Sequence, residues 1–379
     1  MPRPRGVTRT GLVRASSSGV ARIAALAVLI TLLVTSALFL VAGANPIEAY
    51  AQYLLVPLTT QFTLLEVLVA ATPILLTGTA VAIAFRAGFW NIGAEGQLLA
   101  GAVAAAGIGP LVGDLSPWLA IPLMLAGGAL AGAAWVLVPA LLRVRLGIDE
   151  VVTTLLLNPV ALLLVDALLH GPWRDPVSGF PQSPRIAKAA EFPIIVAKSR
   201  LSLGFVIALV VIAATWFVLT RTAVGLRMRA VGLSPHAARF AGIDVERTLL
   251  RVALASGAVA GIAGVVLVGG IQHRLTAGIS SGFGYTGIVV AMLGGLTMPG
   301  VLLAGLLLGD LNVGANSAAR TLGIPSQLGD VVQGMLLLVT VGLLAARRSL
   351  SGRSERPPDE GEPEPDAELE LVPTEPAPA

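Results

Sequence analysis

The polar residues with the greatest chemical reach in this chain sit inside apolar stretches. The segment Gly88-Phe-Trp-Asn-Ile-Gly-Ala-Glu-Gly-Gln97 carries Asn91, Glu95 and Gln97 among apolar neighbours. A carboxylate one or two turns into a membrane helix is costly unless it is paired or lines a wet cavity. Glycines at 88, 93 and 96 permit close backbone approach or a broken helix. Two readings stand side by side. These side chains line or gate a solute pathway, or they tie helices together in a buried hydrogen-bond knot. Asn158 lies deep in another apolar run and shares both readings, as does Asp310, while Glu66 and Asp166 fall near span ends where water reaches them. With no cysteine in the chain, thiolate metal sites and thiol nucleophiles are excluded, and no metal site is read.

A second feature is mechanical. In Gly225-Leu-Arg-Met-Arg-Ala-Val-Gly-Leu-Ser-Pro-His-Ala-Ala-Arg-Phe-Ala-Gly242, Ser234 is a good N-cap, Pro235 suits the first helical position and Gly242 can take the left-handed C′ position. The spacing predicts a helix of about seven residues over 235–241, roughly 10 Å long. So short a helix is not stable alone and needs a surface to pack on. Ala237, Ala238, Phe240 and Ala241 offer a small apolar face with one aromatic knob. A basic loop resting on anionic headgroups is the alternative. The caps favour a defined shape that docks on a protein.

These residues must be positioned by membrane helices. Of the 379 residues, 55% are hydrophobic and only 12% charged, against roughly 25% charged in a soluble domain. Mean hydropathy is +0.84. Spans are expected near 22–43, 64–85, 89–112, 117–142, 149–169, 201–219, 248–270, 283–298, 299–317 and 328–346, about ten in all. Alternating from an inner N-terminus puts 18 of the 25 basic residues inside, including six arginines at 221–251. That bias fits ten spans with both ends cytoplasmic. The first span, near Ala42-Gly43-Ala44, is too long for a cleaved signal and reads as an uncleaved anchor.

The organisation follows. A basic cytoplasmic segment covers 1–21. A transmembrane domain covers 22–346, with a cytoplasmic loop at 221–247. The tail at 347–379 has nine acidic residues with interleaved prolines and is expected to be disordered. Gly-Phe-Trp-Asn-Ile-Gly at 88–93 matches Gly-Phe-Gly-Tyr-Thr-Gly at 282–287 in three of six positions. Spans 2–5 and 7–10 would then form an inverted repeat, a transporter design with its site at mid-membrane.

Enzyme chemistry is disfavoured. Lys188 and Lys198 are the only lysines and neither follows a glycine, so a P-loop is absent and any energy from ATP would come from a partner. Gly278-Ile-Ser-Ser-Gly282 fits the G-x-S-x-G pattern, with His273 nearby, but lacks the strand–turn–helix context of a nucleophile elbow.

The stretches Gly88–Gln97 and Gly147-Ile-Asp-Glu-Val-Val-Thr-Thr-Leu-Leu-Leu-Asn158 resemble permease subunits of bacterial ABC importers for nucleosides, within the wider ribose/branched-chain amino-acid permease family. The loop Gly225–Gly232 with Pro235, Ala237, Ala238, Gly242 and Ile243 is similar to that family's coupling segment, and the resemblance covers about 60–346. Pro159 departs from the pattern, as does the acidic tail. The resemblance implies an inner-membrane, multi-pass subunit with no cofactor of its own. Its partners would be a second permease, ATP-binding subunits and an external substrate-binding lipoprotein. Asn91, Glu95, Gln97 and Asn158 are then the expected pathway or gate residues. Arg229, Gly232, Pro235, Ala237, Phe240 and Gly242 are the expected coupling residues. The same-class alternative imports ribose-like sugars or branched-chain amino acids; the different-class one is an ion-coupled secondary transporter.

Overall fold

A computed structural model describes residues 10–353. Residues 1–9 of the expected basic segment and 354–379 of the expected acidic tail lie outside the described residues. Helix α1 (Thr10–Val41) is followed by the short α2 (Pro46–Tyr50), which runs on through a π-helical and a 3-10 turn to Leu58. Then come α3 (Gln61–Arg86), α4 (Ala94–Ile108), α5 (Pro117–Leu146), α6 (Glu150–His170) and α7 (Leu203–Arg221). After these follow α8 (Ala223–Leu233), α9 (Pro235–Phe240), α10 (Val245–Leu267, prolonged by a π turn to Gln272), α11 (Phe283–Leu293), α12 (Met298–Thr321) and α13 (Gln327–Arg353). No strand occurs among the described residues, only isolated bridges between Gln182 and Thr276 and between Ile194 and Ser202.

The all-helical reading therefore holds, with differences in how apolar stretches become helices. Among the described residues, six helices are long and apolar enough to cross a bilayer: α3, α5, α6, α7, α10 with its π turn, and α12. The apolar run at 89–112 yields a helix of only 15 residues, and that at 283–298 one of 11. Helix α4 begins late, with Gly93 at its N-cap, whereas α11 begins where expected and stops early at Gly294, just before Gly295 turns the chain with φ 60°. Beyond the first apolar run the chain turns back on itself. Val28–Val41 and Pro46–Leu58 meet at 118°, at a break where Gly43 has φ 77°. The last helix continues to Arg353, past the expected boundary at 346.

Helix α3 is the axle of the bundle. It is apolar all round and buried along nearly its whole length, as a helix with no preferred face should be. It packs against α7, α10, α11 and α12, while α4 and α5 pack mainly against α10 and each other, and α1 lies against α13. Thr77 ties α3 to α11 by donating to Phe283 O at 2.9 Å.

Gly128/Gly132 and Gly257/Gly261, each pair four residues apart and so on one helix face, form a three-helix glycine contact with Gly101. A Cβ on Gly101 of α4 or on Gly132 of α5 would run into the backbone of Gly261 or Gly257 of α10, and one on Gly128 of α5 into the Val265 side chain of α10. A Cβ on Gly261 would strike Gly128 O. Close backbone approach replaces the hydrophobic drive that lipid cannot supply. Gly261→Leu should force the three helices apart and destabilise the fold by about 3 kcal/mol or more, since no rotamer escapes a backbone wall. Thermal unfolding of the detergent-extracted protein would register this. An unchanged midpoint would mean that the helices do not touch there.

Candidate translocation site

The segment between α3 and α4 owes its shape to one face of α6. Glu150, Thr154 and Asn158 stand four residues apart and therefore share a face. Trp90 N donates to Glu150 Oε1 at 3.2 Å, Ile92 N to Thr154 Oγ1 at 3.2 Å and Gly96 N to Asn158 Oδ1 at 2.9 Å. Asn158 Nδ2 donates to Ile92 O at 3.0 Å and to the Tyr285 hydroxyl at 3.2 Å. Arg143, in the last turn of α5, pairs with the other Glu150 oxygen at 3.0 Å. A non-helical backbone at membrane depth must find such partners.

Asn91 and Gln97 form a closed pair within this frame. Asn91 Nδ2 donates to Gln97 Oε1 at 2.9 Å, and Gln97 Nε2 donates back to Asn91 Oδ1 at 2.8 Å. Gly93 N donates to Asn91 Oδ1 at 3.0 Å and Asn91 Nδ2 reaches Ser256 Oγ at 3.0 Å. Ser256 in turn donates to Ala80 O at 2.7 Å, so the knot joins α3, α4 and α10. Both amides are buried. Of the two readings open from the sequence, the knot describes their geometry.

Glu95 is placed differently. Its Oε2 accepts from Gly284 N at 2.7 Å, in the first turn of α11. A helix N-terminus leaves amides unsatisfied, and here a carboxylate from another helix takes one of them. Gly284 lies directly on the Glu95 backbone, leaving no room for a Cβ. The N-terminal ends of the two short helices α4 and α11 thus meet at Glu95. Beside them Trp90 and Tyr285 are 42% and 43% exposed, so the polar network reaches the surface of this chain next to α6. The four expected pathway residues gather around the segment 91–97: Asn91 and Gln97 bond to each other, Asn158 to Gly96 N and Ile92 O, and Glu95, the one carboxylate among them, to Gly284 N.

Sequence reasoning missed several partners. Ser256 and Tyr285 come from distant segments and have no local signal. The four-residue spacing of Glu150, Thr154 and Asn158 was available as one. A separate cavity of about 450 Å³ opens between α3, α10 and α12, lined by Phe62, Glu66, Arg200, Phe283, Asn312 and Asn316 among others. Glu66 is not merely solvated there. Arg200 Nε donates to its Oε1 at 3.0 Å, and hydrogen bonding to Glu66 raises the Arg200 pKa, which keeps the guanidinium charged.

The short helix α9 forms as its caps foretell. Ser234 Oγ accepts from Ala237 N at 3.2 Å, Pro235 opens α9, and Gly242 follows it with φ 78°. One detail of the docking face is corrected. Ala238 points inward, into a cluster with Val231 and Val245, because α9 must cover α8 and the start of α10. Ala237, Phe240 and Ala241 remain outward, with Phe240 92% exposed. Arg229 Nη2 lies 3.5 Å from Leu219 O. Gly232 is pressed onto the backbone of Arg86 and Ala87, where any Cβ would strike Arg86 O. That contact joins α8, which leads into the capped helix, to the start of the segment carrying the polar knot. Ser280 of the G-x-S-x-G stretch and the nearby His273 are not hydrogen-bonded to each other, and no strand precedes them among the described residues.

Half-helices meeting at a buried carboxylate, in an apolar bundle with a rigidly capped extramembrane helix, define a polytopic membrane transport component. The chain belongs to the family described as branched-chain amino acid transport system / permease component, which matches residues 63–341. It is thus a transport permease and not an enzyme. It is 36% identical to a glucose ABC transporter permease protein of Haloferax volcanii, over 83% of this chain and 86% of the relative. A guanosine ABC transporter permease protein of Bacillus subtilis is 35% identical over 73% of this chain and 80% of its own. A nucleoside ABC transporter permease protein of Lactococcus lactis is 31% identical over 82% and 88%. No solved structure matches the chain.

Proposed function

We propose that this chain forms part of the translocation pathway of an ATP-binding-cassette importer for nucleosides. The observation that carries the mechanism is the seat of Gly232 on the Arg86–Ala87 backbone. Partner ATPase subunits grip α9 through Phe240, Ala237 and the flanking Arg229. Pro235 and Gly242 set the ends of that peg. Their closure shifts α8, and Gly232 passes the shift to the segment 86–97. Asn91, Gln97 and Asn158 keep that segment stiff, so Glu95 and the start of α11 move as one gate. A pathway with few fixed charges suits a neutral, polar solute.

The remaining parts of the assembly follow from the same reading. The exposed apolar side of α6, with Trp90 and Tyr285 beside it, faces a second permease subunit. An external substrate-binding lipoprotein delivers the solute from the other side. The chain crosses the membrane about ten times with both termini inside, α4 and α11 acting as the broken members of two opposed halves. The guanosine and nucleoside relatives favour nucleosides. A sugar is the second reading, on the strength of the glucose relative.

Reconstitution decides between these. Uptake of labelled guanosine should require the ATPase, binding protein and partner permease, and should survive collapse of ion gradients. Transport by this chain alone, lost with the gradient, would replace the reading with ion-coupled transport; preference for glucose would replace the solute. Glu95→Gln keeps an acceptor for Gly284 N, so stability should change by less than about 1 kcal/mol while uptake falls. Lost stability with unaltered solute preference would reduce Glu95 to a packing role.

A further inference from the structure

A groove of about 300 Å³ lies between α7, α8 and α10, away from the polar network. Its walls are mainly apolar, with Val218 from α7, Met228 from α8 and Val252 and Val259 from α10. Arg227 and Arg251 border it, both exposed. Neither has an acidic partner among the described residues, whereas their neighbours Arg239 and Arg247 pair with Glu246 and Asp244. From Arg251 to Val259 the groove follows α10 for about 12 Å by helical rise. Toward the C-terminal end of α7, Trp216 is 41% exposed and the Arg221 guanidinium lies 5.9 Å from its ring centroid. Tryptophan and arginine at a helix end mark the depth where hydrocarbon gives way to headgroups.

We propose that this groove binds an anionic phospholipid of the inner leaflet. Its phosphate sits between Arg227 and Arg251, and one acyl chain lies along Met228, Val252 and Val259. The two charges explain why the lipid is anionic: basic pockets between membrane helices on the cytoplasmic side suit such headgroups. The apolar length explains why it is a lipid, since a free anion gains nothing from the slot. A second protein surface would need acids to meet the arginines. The site rests on the inward orientation of α8 and α9 proposed above. Because Met228 shares α8 with Gly232, an occupied groove braces the helix that transmits the ATPase stroke.

The test is native mass spectrometry of the importer complex extracted from vesicles of phosphatidylcholine with and without phosphatidylglycerol. Phosphatidylglycerol should stay bound in preference to phosphatidylcholine. Arg227→Gln with Arg251→Gln should lower its retention roughly tenfold or more, on the scale of interfacial arginines. Ala255→Trp, which fills the slot and leaves both arginines, should lower it as well. Equal retention of the two lipids, or unchanged retention in both variants, overturns the site. The chain has no cysteine, so His236→Cys gives a single label for an impermeant maleimide. Labelling from outside, with phosphatidylglycerol still bound, would overturn the inner-leaflet assignment while leaving the groove itself standing.

Discussion

Asn91→Leu is expected to cost about 2–6 kcal/mol of stability and to abolish uptake. Leucine keeps the heavy-atom count and branching of asparagine and is bulkier, so the loss is not a cavity effect. It comes from Gly93 N–H and the Gln97 amide, which would be left without partners in a buried site. Each orphaned buried polar group costs about 1–3 kcal/mol. Ser256 keeps its bond to Ala80 O and should add little. The asymmetry of hydrogen-bond deletion supplies an internal control. Replacing Gln97 by leucine as well removes both halves of the pair, and the double variant should recover part of what the single one loses. Thermal unfolding in detergent reads both numbers. A single variant as stable as the parent would show that Asn91 is not a knot.

Phe240→Asp should leave the bundle intact and break coupling. The ring is almost fully exposed, so stability should move by less than about 0.5 kcal/mol. Aromatic anchors at the centre of an interface are worth about 2–4 kcal/mol when lost. Affinity for the ATPase subunits should fall by roughly thirtyfold or more on that scale, and uptake with it. The two quantities separate in a pull-down of ATPase by the reconstituted permease, alongside an uptake assay. Normal uptake by Phe240→Asp would remove the docking role. Ala238→Asp offers the contrast: that residue is buried under α9, and the substitution should unfold the peg itself.

What could be read ahead of the structure were features whose physics is local. Ser234, Pro235 and Gly242 shape α9 through their own backbone preferences, and those need no neighbour to be known. Gly128/Gly132 and Gly257/Gly261 were legible as close-packing pairs because helical spacing puts them on one face. The repeat between 88–93 and 282–287 was less so. The first segment precedes α4, while the second supplies the N-cap and opening turn of α11, so matching residues take different positions. Composition could not tell an unbroken span from the short helices α4 and α11, because hydropathy counts apolar residues without regard to where hydrogen bonding stops.

By itself, the sequence determined that this is a helical membrane chain lacking its own ATP loop, with a capped peg and a strip of polar residues in apolar surroundings. Each of those follows from residue type and spacing along one segment. Tertiary structure alone decided that Asn91 closes on Gln97 and Ser256, that Glu95 caps α11, and that Gly232 rests on Arg86. Those contacts join residues as many as 189 positions apart. A buried polar group is obliged to find a partner, but the obligation does not name one; only the packing of the helices does.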